Sequence, residues 1–334
     1  MNIFQTALAV VATNAGGGIL GTPYAFYHLG IINAIIITLT FAVASQASVM
    51  IYLRTKDLTP RKYESVYEIA YLLSGRNAIF VVIVTQLLSA LGCMILYYII
   101  LGDTTGNLFA QAFVKGSMGQ DIQETKEQVG DEAWYAQVLS VRATNVLFIG
   151  GLALFFIFKR RLEELRSISY VFLTVLGLFI TLLVMELARD DGSKKLPFDE
   201  MAAIKVDSHL LTAISILLFA YSFQFIVFPC YSELENRSNW RFEQASLWGL
   251  LIYTTAMIVT GITGVLLFGA EVKSDLLLNI GEKAGGLSIF IRIIYCIILV
   301  FHLPYIFFAL KEYVLVMYEE ISSSTLSNHL ESKL

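Results

Sequence analysis

Apolar positions in this chain fall into long blocks rather than alternating or recurring at one face of a soluble helix. Eight blocks are long enough to cross a bilayer: residues 5–27, 30–53, 78–102, 143–159, 167–187, 209–230, 244–269 and 286–310. A spanning helix needs about 20 mostly apolar residues, and each block is near that length, the fourth being the shortest. The pattern predicts an all-α polytopic membrane protein. A transmembrane domain covers 1–310 and a polar C-terminal tail covers 311–334, where Glu319, Glu320 and Ser322 interrupt the apolar run. Most connections are short. The exceptions are 103–142, which is acidic with room for an amphipathic helix, and 188–208, of mixed charge.

Two blocks are interrupted. The first contains Asn14-Ala15-Gly16-Gly17-Gly18, followed by Gly21 and Pro23. Glycine in a helix interior costs about 1 kcal/mol against alanine. In hydrocarbon an unwound backbone survives only where protein buries it or it lines a cavity. A break at Gly16–Gly18 is therefore expected, the alternative being a small-residue seam that lets two helices approach closely. The sixth block, Phe219 to Pro229, is interrupted by Ser222, Gln224 and Pro229. An offset of five helices reverses direction across the membrane. Interrupted helices at corresponding places in inverted halves point to a transport site.

Composition agrees and removes other classes. Hydrophobic residues make up 57% and charged residues 15%, and the net charge of −4 leaves no nucleic-acid footprint. Cys93, Cys230 and Cys296 all lie in apolar blocks, odd in number and without zinc spacing. No cleavable leader is expected, since the first apolar block is too long for one. Nothing resembles a phosphate-binding loop, a nucleophile elbow or a metal cluster, so neither an enzyme nor a cofactor is expected. With the N-terminus inside, the inner segments hold thirteen basic residues against nine outside, which favours that orientation. Ser45, Gln46 and Gln86 are read as interhelical hydrogen-bonding groups. Arg292 is read as snorkelling or packing, and most Phe and Tyr as lipid-facing or interfacial.

Asn14-Ala-Gly-Gly-Gly-Ile-Leu-Gly-Thr-Pro-Tyr-Ala-Phe resembles the opening helix of the amino acid/auxin permease family, which includes the sodium-coupled neutral amino acid transporters. Four further stretches are similar in the same order: Gly92 to Asp103; Phe228-Pro-Cys-Tyr-Ser-Glu-Leu234; Phe268-Gly with Leu276-Leu-Leu-Asn279; and Arg292 to Pro304. The resemblance implies a leucine-transporter-type fold, with the first and sixth helices discontinuous, and amino acids as substrates. The family pattern has eleven helices, so the reading is of a C-terminally shortened member with about eight. Sodium-coupled relatives place hydroxyls in the eighth helix where this chain has Val300 and His302. Valine offers no oxygen to sodium.

The site implied is Asn14, Ala15, Gly16, Gly17 and Gly18 with Tyr221, Ser222 and Gln224. Free N–H groups at the glycines would take a substrate carboxylate, carbonyls near Tyr221–Gln224 the ammonium, and Asn14 would brace the break or help hold the ion. His302 is the ion-coupling candidate, since an ionisable group at membrane depth is a functional residue by default and histidine titrates near neutral pH. A neutral histidine bonded to a neighbouring helix is its other reading. Two functions follow: secondary amino-acid transport, coupled to protons rather than sodium, or a non-transporting structural subunit of a larger membrane complex derived from a permease. The expected partners are membrane lipids, an amino acid, and proteins covering the faces left by missing helices.

Overall fold

The computed structural model describes residues 1–58, 65–113, 144–147, 150, 151, 166–189, 205, 207–282 and 286–323. Among these, regular structure is helical throughout. We number the helices α1 (Ile3–Asn14), α2 (Gly17–Leu29), α3 (Ile31–Leu58), α4 (Val66–Ser74), α5 (Arg76–Phe113), α6 (Arg166–Arg189), α7 (Leu210–Ala220), α8 (Val227–Ser232), α9 (Asn239–Phe268), α10 (Leu276–Glu282) and α11 (Gly286–Ser323). Six candidate spans stand among the described residues: α3, α5, α6, α7 with α8, α9 and α11. The bent pair α1 and α2 makes a seventh. This is an integral, multi-pass membrane protein. The fourth expected block, 143–159, lies mostly outside the described residues.

The first block is not one helix. α1 and α2 meet at a 63° bend. The bend falls at Ala15–Gly16, and Gly17 and Gly18 form the first turn of α2. The second interruption is longer. α7 stops at Ala220, Gln224–Ile226 form one 3-10 turn, and α8 resumes at Val227. Small residues let the broken helix lie close to its neighbours. A β-carbon on Gly18 would stand 2.8 Å from the Ala220 Cβ, and one on Gly261 of α9 would stand 2.8 Å from the Phe26 ring. Gly264 of α9 receives the ring of Pro23. Break and seam thus coexist in the first helix.

Packing sorts the helices into two groups. α9 packs on α1, α2 and α3, and α7 packs on α2; α11 packs on α5 and α6. α6 also touches α1 and α9, and α2 touches α5, which joins the groups.

Three expectations change. α5 runs to Phe113 rather than ending at 102, so residues 103–113 belong to it, and the rest of the expected amphipathic stretch lies outside the described residues. α11 continues to Ser323 rather than ending at 310, and residues 324–334 lie outside the described residues. Both helices have 38 residues, ~57 Å at 1.5 Å per residue, well beyond a hydrocarbon core of ~30 Å. Thirdly, many tyrosines are not belt residues: Tyr97, Tyr221, Tyr253, Tyr295, Tyr305 and Tyr313 are all buried. A hydroxyl among packed helices can reach backbone groups that a broken helix leaves over, which a lipid-facing one cannot.

Candidate functional site

The site follows from what the two breaks leave unpaired. A helix interruption frees main-chain donors and acceptors, and each buried one needs a partner. At the first break the Gly16 N–H bonds back to the Asn14 carbonyl at 2.8 Å, and the Gly16 carbonyl accepts the Tyr295 hydroxyl of α11 at 2.7 Å. No side chain caps α2. The Tyr97 hydroxyl of α5 instead meets the Gly17 backbone. A β-carbon on Gly16 would overlap that hydroxyl, so the glycine is what admits the tyrosine. Tyr97 therefore stands where a carboxylate was expected.

The second break is tied to α3. The Ser45 hydroxyl donates to the Tyr221 carbonyl at 3.1 Å, and the Gln224 amide donates to Ser45 Oγ at 3.2 Å. The Tyr221 hydroxyl pairs with Thr254 of α9 at 2.8 Å. Ser222 donates to the Leu218 carbonyl at 3.2 Å. Gln46 bridges α3 to α9 through the Glu243 carbonyl and the Ser246 hydroxyl. Ser45 and Gln46 are thus interhelical groups, as their sequence reads; Gln86 is half-buried on α5.

Between the breaks lies a cavity of about 10 Å³, lined by Thr13, Asn14, Gly18, Cys93, Tyr97 and Ser222 among others. That is room for one water at most. The expected residues divide accordingly. Asn14, Gly18 and Ser222 line the cavity. Ala15, Gly16 and Gly17 are outside its lining: Ala15 is buried at the bend, Gly16 and Gly17 pack on Tyr97, and Gly16 also holds Tyr295. Gln224 turns to α3, and Tyr221 meets α3 through its carbonyl and α9 through its hydroxyl.

Several polar atoms here have no partner. Asn14 donates its amide to the Val10 carbonyl at 2.9 Å, bracing the end of α1, but its Oδ1 is buried and unpartnered. The Tyr253 hydroxyl, 3.5 Å from where a Gly18 β-carbon would sit, is likewise buried without a partner. His302 is fully buried beside the Ala12 backbone, its ring edge-on to Tyr97 with centroids 4.8 Å apart. Neither of its ring nitrogens meets hydrogen-bond geometry. The Ala12 backbone of the neighbouring α1 is the group it approaches, so both readings of His302 stay open. Arg292 packs, donating to Gln111 Oε1 at 2.6 Å while Gln111 donates to the Gly281 carbonyl at 3.2 Å.

Sequence reasoning missed Tyr97, Tyr253 and Tyr295. Their sequence carries no signal that separates them from belt tyrosines, since all three sit within apolar blocks. No group of His, Cys, Asp or Glu suited to a metal ion occurs among the described residues.

A family model described as transmembrane amino acid transporter protein matches residues 1–334. Amino acid transporter AVT6C of Arabidopsis thaliana is 26% identical over 321 residues, 92% of this chain and 69% of its own length. Vacuolar amino acid transporter 5 of Saccharomyces cerevisiae is 21% identical over 284 residues, 83% of this chain and 59% of its own. Sodium-coupled neutral amino acid transporter 7 of Xenopus laevis is 26% identical over 281 residues, 81% and 56%. AVT6E of Arabidopsis thaliana, 26% identical, is covered over 62% of its length, so the chain spans less than two thirds of most of these relatives.

Proposed function

Because the chain belongs to the transmembrane amino acid transporter family, we propose that it carries amino acids across a membrane as a secondary transporter, binding them between its two helix breaks. The observation that carries this is the group of orphaned polar atoms gathered there, Asn14 Oδ1 and the Tyr253 hydroxyl. A buried polar atom left without a partner costs about 1–3 kcal/mol, and a polar ligand between the breaks lowers that cost. The α-carboxylate goes to the uncapped first turn of α2, displacing the Tyr97 hydroxyl, because a helix N-terminus favours an anion. Asn14 Oδ1 and the carbonyls around Tyr221–Gln224 accept the ammonium. The 10 Å³ cavity is the closed form of this site, and an amino acid enters only when the helices separate. The movement is a rocking of α1, α2, α3 and α7–α9 against α5 and α11, along the division that the packing supports, with the fourth block, mostly outside the described residues, counted with the second group.

Coupling is to protons, through His302. Its imidazole, buried beside the Ala12 backbone, is the titratable group next to the first break. Val300 brings no oxygen ligand for sodium. Purified protein in proteoliposomes tests both parts. An inward acid gradient is expected to drive uptake of at least one of twenty labelled amino acids, with choline replacing sodium at no cost in rate. His302→Ala should cut gradient-driven accumulation at least tenfold and spare exchange of the same substrate. Strong sodium dependence overturns the coupling. Absence of uptake and exchange across the panel overturns transport.

A further inference from the structure

A second, larger cavity opens on the face that carries the N-terminus. It measures about 290 Å³ and is lined by α4 (Ser65 to Glu68), by Phe228, Pro229 and Glu233 around α8, and by Phe308, Glu312 and Tyr313 of α11. The Met1 ammonium donates to the Glu233 carbonyl at 2.6 Å, which fixes the face. A cavity of this size holds an amino acid, whereas the cavity between the breaks does not.

One residue borders both. Phe225, in the 3-10 turn between α7 and α8, lines the large cavity on one side and the small one on the other. Its ring is 5% exposed and is the partition between them. The turn that carries it lacks the i to i+4 ladder of an α-helix, so its backbone is the softest part of that wall. Among the described residues, one side-chain bond reaches it from the opposite group of helices: the buried Tyr313 hydroxyl of α11 donates to the Phe225 carbonyl at 2.9 Å. α11 lines both cavities too, with Ile306 in the inner one and Phe308 in the outer. A change in the distance between α8 and α11 therefore breaks the bond and opens the partition together.

We propose that Phe225 is the gate between the vestibule on the N-terminal face and the site at the helix breaks, and that the Tyr313 hydroxyl is its latch. This rests on the transport reading above, but its test does not need transport. Cys93 is a free cysteine in the lining of the inner cavity, beyond the gate. Cys230 is fully buried and borders neither cavity, so it reports general loosening.

The full chain in nanodiscs is treated with a small cationic thiosulfonate, and modification of each cysteine is followed by peptide mass spectrometry. Phe225→Ala should speed modification of Cys93 at least tenfold and Tyr313→Phe severalfold, each with Cys230 unchanged. Phe225→Trp should slow it. Tyr313→Phe keeps the ring, so it guards against simple loss of packing. Equal Cys93 rates in the wild type and all three variants overturn the gate, and so does parallel acceleration at Cys230. If Cys93 responds as expected but no amino acid is taken up, the gate stands and the transport reading falls. If uptake is normal and Cys93 is indifferent to position 225, the reverse holds.

Discussion

Asp275 begins α10 by accepting the Leu277 N–H at 2.9 Å. Burial pushes its carboxyl up to about 6; the Leu277 bond pulls the other way, and the negative charge of Asp103 adds to the rise. A carboxyl raised above its unfolded value of 3.8 holds its proton more tightly in the folded protein. Its contribution to stability is then full below about pH 4 and is lost as pH rises through about 6. Asp275→Asn keeps a capping side chain and removes the charge. In nanodiscs the wild-type melting temperature should fall between pH 4.5 and 7, and that of the variant should fall less. Parallel curves would show that Asp275 does not titrate in this window. At the same scale, the candidate site was half legible. Asn14 and the glycines are visible because they violate the apolar helix around them. Tyr97, Tyr253 and Tyr295 are not, because a tyrosine in an apolar block suits a lipid interface as well as a core. Only the tertiary packing separates the two: the Tyr97 and Tyr295 hydroxyls set on Gly17 and Gly16, and that of Tyr253 buried beside Gly18.

Helix ends show where sequence pattern stops being decisive. The breaks in the first and sixth blocks could be read directly, since consecutive glycines weaken a helix and polar groups in hydrocarbon need partners. α4 was not anticipated between the second and third blocks; in the structure Ser65 and Glu68 cap each other reciprocally at its start, and Gly75, at φ 75°, ends it. The far ends of α5 and α11 were not legible either, because hydropathy falls there while the helix continues. What holds the last turns of α11 is an interhelical contact. The Arg76 guanidinium, at the start of α5, donates to Glu320 Oε1 at 2.7 Å and to the Glu320 carbonyl at 3.1 Å, and the Glu320 side chain is fully buried. Losing one partner of a buried charge is far worse than losing a surface pair. Arg76→Ala should cost about 2 kcal/mol, less than a fully buried pair because the arginine is half-exposed. Hydrogen exchange over residues 311–323 should quicken at least tenfold in the variant. Unchanged exchange would mean that other contacts hold this end.

At the scale of the whole molecule, the described contacts assign each helix end to a face of the membrane. Met1 meets Glu233 and Lys56 meets Tyr231, so the start of α1 and the ends of α3 and α8 share one face. His28, at the end of α2, meets Asp207 just before α7 at 3.1 Å, on the opposite face. Gln111, near the end of α5, bonds Gly281 and Arg292, whose helices start on that opposite face. Gln5 of α1 reaches the Tyr170 hydroxyl at 3.4 Å, which places the start of α6 on the first face. The end of α5 and the start of α6 therefore lie on opposite faces. The expectation of a crossing at 143–159, a block that lies mostly outside the described residues, fits that arrangement. With that expected crossing added to the seven spans of the described residues, residue 1 and residue 323 are expected on the same face. Single cysteines at 125 and 162 should react with an impermeant maleimide from opposite sides of an oriented vesicle, and 162 from the same side as Glu235→Cys. Reaction of 125 and 162 from one side would remove that crossing and contradict the Gln5–Tyr170 contact that sets the start of α6 on the first face; the opposite courses of the two broken helices rest on Met1–Glu233 and His28–Asp207 instead.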